Sequence, residues 1–312
     1  MNLKPSENTQ LYGMSHYFNE ISHLYNEKKM PPKILLSGKK GIGKSTLAYH
    51  IINNIFSKNE DFKYNSDGFI INKENKSFKL LQNNMHPNFY LIDLLSDKKN
   101  IDVNQVREMI IYTNKSTFNN MPRFILIDNI ENLNKNSVNA LLKIIEEPNK
   151  NVFFILINDN EKYIAPTLKS RCVTFKINFT FNESIIISNK ILKENIFDII
   201  NMDLIHYYNT PGEIINLINF SKDKKLNLKE HTLVSFLNLL IDNNYYKKNK
   251  VIKNLLINFI ELFFLKEYRS NKTKNLLSNF YHNFIIKSYV SEKFNLDEES
   301  LFLEFKSKLL ND

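Results

Sequence analysis

Cysteine, tryptophan, glycine and arginine are all scarce in this 312-residue chain. Cys172 is the one cysteine, so neither an intramolecular disulfide framework nor a cysteine-rich zinc module can be built. A lone thiol fits a reducing compartment. Tryptophan is absent, and the four arginines are Arg107, Arg123, Arg171 and Arg269. Long hydrophobic runs are lacking as well. The most apolar late stretch, residues 251–265, contains Lys253, Asn254, Asn258 and Glu261, which makes it too short and too polar to span a bilayer. Residues 1–10 are polar and have no apolar signal-peptide centre. A cytoplasmic location without membrane contact is therefore expected.

What is present describes a globular protein of two or three domains, at roughly 100–200 residues per domain. With 43% hydrophobic and 24% charged residues there is ample material for a core, which excludes global disorder. The net charge of +9 is carried almost wholly by lysine. Such a charge permits contact with nucleic acid. Together with abundant Asn and Ile it is also what A/T-rich coding produces, so charge alone does not decide the matter. An arginine kept in such a chain is expected to do what lysine cannot, such as bidentate recognition of a phosphate or carboxylate.

The first half alternates short apolar runs with helical periodicity. Strands are predicted at 33–37, 88–93, 123–128, 151–157 and 172–177, and helices at 44–56, 103–112 and 136–147, the last stopped by Pro148. Near-continuous apolar strands between helices indicate a buried parallel sheet with helices on both faces. Beyond residue 179 the strand signals fade, and helices are predicted at 183–193, 202–208, 212–220, 231–242, 250–268, 275–289 and 299–310. The polar segment 57–79 reads as an exposed loop or hairpin insertion. No internal repeat is visible.

Gly38-Lys39-Lys40-Gly41-Ile42-Gly43-Lys44-Ser45 fits the phosphate-loop pattern G-x-x-x-x-G-K-[ST] in full, with a strand before it and a helix after it. Three of the chain's six glycines, Gly38, Gly41 and Gly43, fall here. Glycine allows the tight turn that aims several N–H groups at one phosphate, and the helix N-terminus adds positive potential. The alternative is a chance Gly-rich turn. In the phosphate-loop reading Lys44 reaches the β- and γ-phosphates, Ser45 ligates Mg²⁺, and Thr46 follows them in the nucleotide-binding set.

The strand 123–128 ends in Asp128, which either completes the Mg²⁺ site or caps an ordinary turn. The next residue, Asn129, is a neutral amide that can hold water but cannot take its proton. Glu131 lies two residues on. The pattern supports nucleotide binding more than hydrolysis.

The segment Asp128 to Pro148, which includes Asn139-Ala-Leu-Leu-Lys143 and Glu146-Glu147-Pro148, resembles the stretch after the Walker B strand in clamp-loader subunits of bacterial DNA polymerase III. Ser170-Arg171-Cys172 resembles their Ser-Arg-Cys motif. Leu11-Tyr12-Gly13, His86-Pro87 and the Ile101 to Arg107 stretch are similar to the same family, and the delta-prime type matches best. The specific motifs cover residues 8–180; Thr210-Pro211-Gly212 adds a weaker likeness beyond them.

The resemblance implies an AAA+ domain over 1–178, a small helical lid over 179–224 and an all-α collar over 225–312. It implies a stator in a ring that loads the sliding clamp onto primer-template DNA, with delta and gamma/tau subunits as partners. It also implies a role for Arg171 as an arginine finger in trans, the alternative being a pairing with a local carboxylate. Asn158 matches the sensor-1 position, or is a solvated strand end. Asn129 replaces the Glu that hydrolytic AAA+ members place after the Walker B Asp, and Glu213 stands where active loaders carry a sensor-2 Arg. The zinc-binding cysteines of many relatives are missing, so no zinc is expected, while ATP with Mg²⁺ remains the candidate cofactor. An active gamma/tau-type ATPase is the alternative function.

Overall fold

Five strands, β1 (Lys33–Gly38), β2 (Phe89–Ile92), β3 (Arg123–Ile127), β4 (Val152–Asp159) and β5 (Val173–Lys176), form one parallel sheet in the order β2-β3-β4-β1-β5. The computed structural model describes residues 4–95, 98–115, 118–248, 250–270, 274–294 and 296–310. The chain divides into two compact units, Met1–Glu183 and Ser184–Asp312.

β3 is buried along its whole length, as a parallel strand covered on both faces must be. Successive side chains point to opposite faces. Ile34 and Leu36 enter one core, and Leu35 between them enters the other. Helices α1 (Ser15–Asn26), α2 (Lys44–Phe56) and α3 (Lys76–Gln82) bring Phe18, Ile51 and Phe78 to the first core. Helices α4 (Val103–Thr113), α5 (Lys135–Glu146) and α6 (Pro166–Lys169) bring Val106, Leu141 and Leu168 to the second. Each such side chain contributes roughly 1.5–3 kcal/mol on burial, so these two apolar layers hold the sheet together.

The predicted strands and the helices between them appear within a few residues of the expected limits. Two local readings of this unit need correction. Helix α1 was not foreseen, because His, Asn, Ser and Tyr dilute its apolar stripe of Phe18 and Ile21. Segment 57–79 is not an exposed insertion: it carries a short antiparallel bridge from Asn65 to Ile70, buries Tyr64, Ile71 and Phe78, and runs into α3. Its internal polar group is satisfied, since the buried Asn75 caps α3 by accepting from Phe78 N–H and donates to the Phe62 carbonyl.

Arg123 shows one thing a retained arginine can do here. It is 2% exposed and bonds backbone carbonyls. Its Nη1 donates to the carbonyls of Tyr112, Thr113 and Lys115 at 2.9, 3.1 and 2.8 Å, and its guanidinium lies 4.4 Å from the Tyr112 ring centre. It thus satisfies carbonyls at the C-terminal end of α4 that the helix itself leaves open.

The second unit is helical among the described residues. It holds most of α7 (Phe181–Leu192), then α8 (Ile196–Ile199), α9 (Pro211–Lys224), α10 (Leu233–Asp242), α11 (Tyr245–Lys248), α12 (Lys250–Ser270), α13 (Lys274–Phe294) and α14 (Glu299–Leu309). Phe236, Phe302 and Phe305 are fully buried, and Phe259, Phe263, Phe264 and Phe284 pack against them edge-on or tilted. The helix predicted over 202–208 is a single 3-10 turn at Met202–Leu204. Beyond it the Asn209 carboxamide accepts from His206 N–H, and Pro211 disfavours helical backbone at Thr210. No described helix is long and apolar enough to cross a membrane.

Candidate functional site

The C-terminal ends of β1, β3 and β4 converge on the loop before α2. Gly38 needs to be glycine for packing, since a Cβ there would collide with the carbonyl oxygen of Ile177 just past β5. Gly41 and Gly43 answer a different demand, with φ of 82° and 101°, which only glycine adopts without strain. Gly43 is the N-cap of α2, and no side chain caps this end, so the first N–H groups of a thirteen-residue helix face the loop.

Lys44 is buried, and its Nζ donates to the carbonyls of Gly38 at 2.7 Å and Lys39 at 2.8 Å. Burial lowers its pKa, while Asp159, Asp128 and Glu131 act in the opposite direction. Ser45 donates its hydroxyl proton to Asp128 Oδ2. Burial raises the Asp128 carboxyl to about 6, with Asp93 adding to the rise and the Ser45 and Asn129 hydrogen bonds opposing it. Thr46 Oγ1 accepts from Asn8 Nδ2 at 3.4 Å, which ties the N-terminal segment to the start of α2. Asn158 is 3% exposed; its Nδ2 donates to the Asp159 carbonyl at 3.1 Å, and its Oδ1 is buried with no partner. The β1–β4 register places Asn158 beside Ser37 and Asp159 beside Gly38, at the mouth of the loop.

Six of the expected site positions, Gly38, Gly41, Gly43, Lys44, Ser45 and Asp128, therefore meet at one place, with Thr46 and Asn158 at its edges. The donor set fits a phosphate chain with a hard divalent cation. It offers backbone N–H groups at a helix start, an ammonium held only by backbone carbonyls, and a hydroxyl–carboxylate pair.

The residues after Asp128 were only partly legible. Asn129 adopts a left-handed backbone, φ 55° and ψ 46°. Its N–H donates to Asp128 Oδ1 at 2.8 Å and its Nδ2 to Asp93 Oδ1 at 2.7 Å. The amide is thus engaged by Asp93. Glu131 Oε2 accepts from Asp159 N–H at 3.2 Å, which ties that carboxylate to the end of β4. Asp93 and Asp159 went unnoticed in the sequence, although each ends a strand as Asp128 does. Register pairing of Ile92 with Ile127 sets Asp93 level with Asp128.

Arg171 belongs to a separate surface. Its Nε donates to Glu146 Oε1 at 2.9 Å, its Nη2 lies 2.7 Å from the same oxygen as an ion pair, and its Nη1 donates to the Thr167 carbonyl at 3.0 Å. The pairing with a local carboxylate is thus present. Cys172 beside it is a poor nucleophile, since burial pushes its thiol up to about 11. Glu213 spends its carboxylate inside the helical unit: it closes a capping box with Thr210 and accepts from Asn258 Nδ2 at 3.2 Å.

A family profile described as "DNA polymerase III, delta subunit" matches residues 13–180. The DNA polymerase III subunit gamma of Buchnera aphidicola subsp. Schizaphis graminum is 30% identical over 277 residues, 86% of this chain and 70% of that protein. The subunit delta' of the same organism is 26% identical over 269 residues, 81% of this chain and 76% of that one. Among solved structures, a gamma subunit-related protein from Thermotoga maritima superposes with a TM-score of 0.38 at 15% identity, over 85% of this chain and 76% of its own.

Proposed function

Because the chain belongs to the clamp-loader family of DNA polymerase III, we propose that it is the delta-prime-type stator. In this reading it holds ATP and Mg²⁺ without turning them over efficiently and lends Arg171 to the nucleotide of a neighbouring subunit. The observation that carries the reading is the fate of the groups after Asp128. Asn129 stands where hydrolytic members place Glu and donates to Asp93, while Glu131 accepts from the Asp159 amide. The position directly after Asp128 thus offers a neutral amide, which cannot take a proton from water.

In this reading the loop N–H groups and Lys44 hold the phosphates, Thr46 stands next on the helix, and Ser45 and Asp128 hold the Mg²⁺. The metal would neutralise phosphate charge. Asn158 lies at the sensor-1 position. Glu213, occupied as a helix cap, takes no part in binding the triphosphate. Residues 1–178 form the AAA+ domain, 179–224 a lid and 225–312 a collar for assembly with delta and gamma/tau subunits. Through that assembly the protein acts in the cytoplasm on the sliding clamp and primer-template DNA. A gamma-type ATPase is the second reading, favoured by the 30% identity to a gamma subunit.

The test is clamp- and DNA-stimulated ATP turnover in a reconstituted loader. Lys44→Ala is expected to stay within about twofold of wild type. Arg171→Ala is expected to fall by about 10³-fold or more, the usual worth of an arginine finger. Collapse with Lys44→Ala at unchanged assembly would favour the gamma-type reading.

A further inference from the structure

Glu146 is the last residue of α5, and its place is set by Pro148, which disfavours helical backbone at Glu147. The turn carrying Arg171 is set independently, by α6 and its buried Leu168. The two elements bring one carboxylate oxygen onto one edge of the guanidinium, where Nε donates to Glu146 Oε1 and Nη2 forms an ion pair with the same oxygen. Nη1 reaches back to the Thr167 carbonyl. A guanidinium has five N–H donors. The two hydrogen bonds use the Nε–H and one Nη1–H and leave hydrogens on both terminal nitrogens. Donors on the two terminal nitrogens form the outer pair that grips phosphate oxygens side by side.

We infer that Glu146 is a positioning residue. It fixes the plane of the Arg171 guanidinium before a neighbour arrives, so that the outer pair of N–H groups is presented to that subunit's nucleotide. The inference rests on Arg171 acting in trans, as proposed above. Arg171 is 36% exposed, and a long side chain at such a surface has many rotamers to lose when it is held. Holding it in one orientation beforehand moves that cost out of the reacting complex. An ordinary surface ion pair would have no such effect. Because Glu146 itself is 51% exposed, its replacement leaves the core untouched.

The experiment uses the reconstituted loader with Glu146→Ala, Glu146→Gln, Arg171→Ala and the Glu146→Ala/Arg171→Ala pair. ATP turnover is measured alongside retention of ADP–aluminium fluoride, a mimic of the transferring phosphoryl group. Glu146→Ala is expected to lower kcat about tenfold with KM for ATP within about twofold, a loss well short of removing the finger. Retention of the fluoride complex should weaken by a similar factor. Glu146→Gln keeps an acceptor oxygen and should stay within about threefold of wild type. In the Arg171→Ala background Glu146→Ala should add nothing. If Arg171→Ala collapses turnover while Glu146→Ala matches wild type in both readouts, the role of Glu146 is overturned and the finger stands. If Arg171→Ala changes nothing, both readings fall together.

Discussion

The α/β unit and the helical unit solve the burial of polar groups in opposite ways. In the first, ionisable and amide side chains go inside: Lys44, His50, His86, Arg123 and Asn158 are all buried. In the second, buried polar groups are mostly hydroxyls that bond their own helix, as Ser188 does to the Ser184 carbonyl and Ser221 to that of Ile218. Apart from the buried Glu298, its paired charges lie nearer the surface, and they bridge distant parts of the chain, Lys266 to Asp203, Lys306 to Asp242 and Lys253 to Glu298. A phosphate loop needs charge and dipoles held in place under low dielectric. A helix assembly needs only apolar packing and a soluble exterior.

The comparison can be broken most forcefully at Arg123. Arg123→Leu strips buried carbonyls at the end of α4 of their donor and is expected to destabilise the α/β unit by about 3–5 kcal/mol, at about 1–3 kcal/mol for each buried acceptor left unsatisfied. Hydrogen exchange read by mass spectrometry should show faster exchange in β2, β3 and α4 and little change in α10 to α14. Equal loosening of both units would contradict the contrast.

A smaller effect is expected from acid. Burial lowers His50 and His86 to about 4 each. His50 Nε2–H donates to the Asn8 carbonyl, so its Nδ1 accepts from the Tyr64 hydroxyl at 2.9 Å. His86 stacks on Phe56, and its Nδ1 accepts from Asn88 N–H. Unfolded histidine titrates near 6.5, so between pH 6.5 and 4 the unfolded state binds more protons. The stability these groups confer is complete above 6.5 and drains as pH falls toward 4, by about 2–3 kcal/mol per histidine. Urea unfolding of wild type and His50→Gln across this range should give a visibly shallower pH slope for the variant. An unchanged slope would remove His50 from the account.

The smallest effect sharpens the other side. The ion pairs of the helical unit are partly exposed and worth about 0–1 kcal/mol each. Raising NaCl from 0.05 to about 1 M should speed exchange in α12 and α14 slightly, by screening. The sheet should respond less, because its charges are internal. A larger response of β1 and β4 than of α12 would reverse the assignment.

How much could be read beforehand follows from how local each determinant is. The phosphate loop is contiguous, so Gly38 to Ser45 announced itself. The strands are short and almost wholly apolar, so their limits were close. What escaped depends on register between segments far apart. Asp93 meets Asn129 only because β2 and β3 pair, and Asp159 reaches the site only because β4 lies against β1. Glu146 finds Arg171 across 25 residues of chain. Gly38 was read as a turn residue, but its requirement comes from Ile177. The polar look of segment 57–79 concealed Tyr64, Ile71 and Phe78, because a few buried side chains suffice to fold a polar stretch against a helix.

The left-handed backbone at Asn129 has a consequence for substitution there. Asparagine tolerates that conformation better than glutamate does. It also stands between two carboxylates and donates to both, its backbone N–H to Asp128 and its side-chain Nδ2 to Asp93. Exchanging Asn129 for Glu would keep the unfavourable backbone and crowd a third negative charge into the gap. Placing a carboxylate base at this point therefore demands a change of chain path together with a change of side chain, so a single substitution at Asn129 is not enough to supply one.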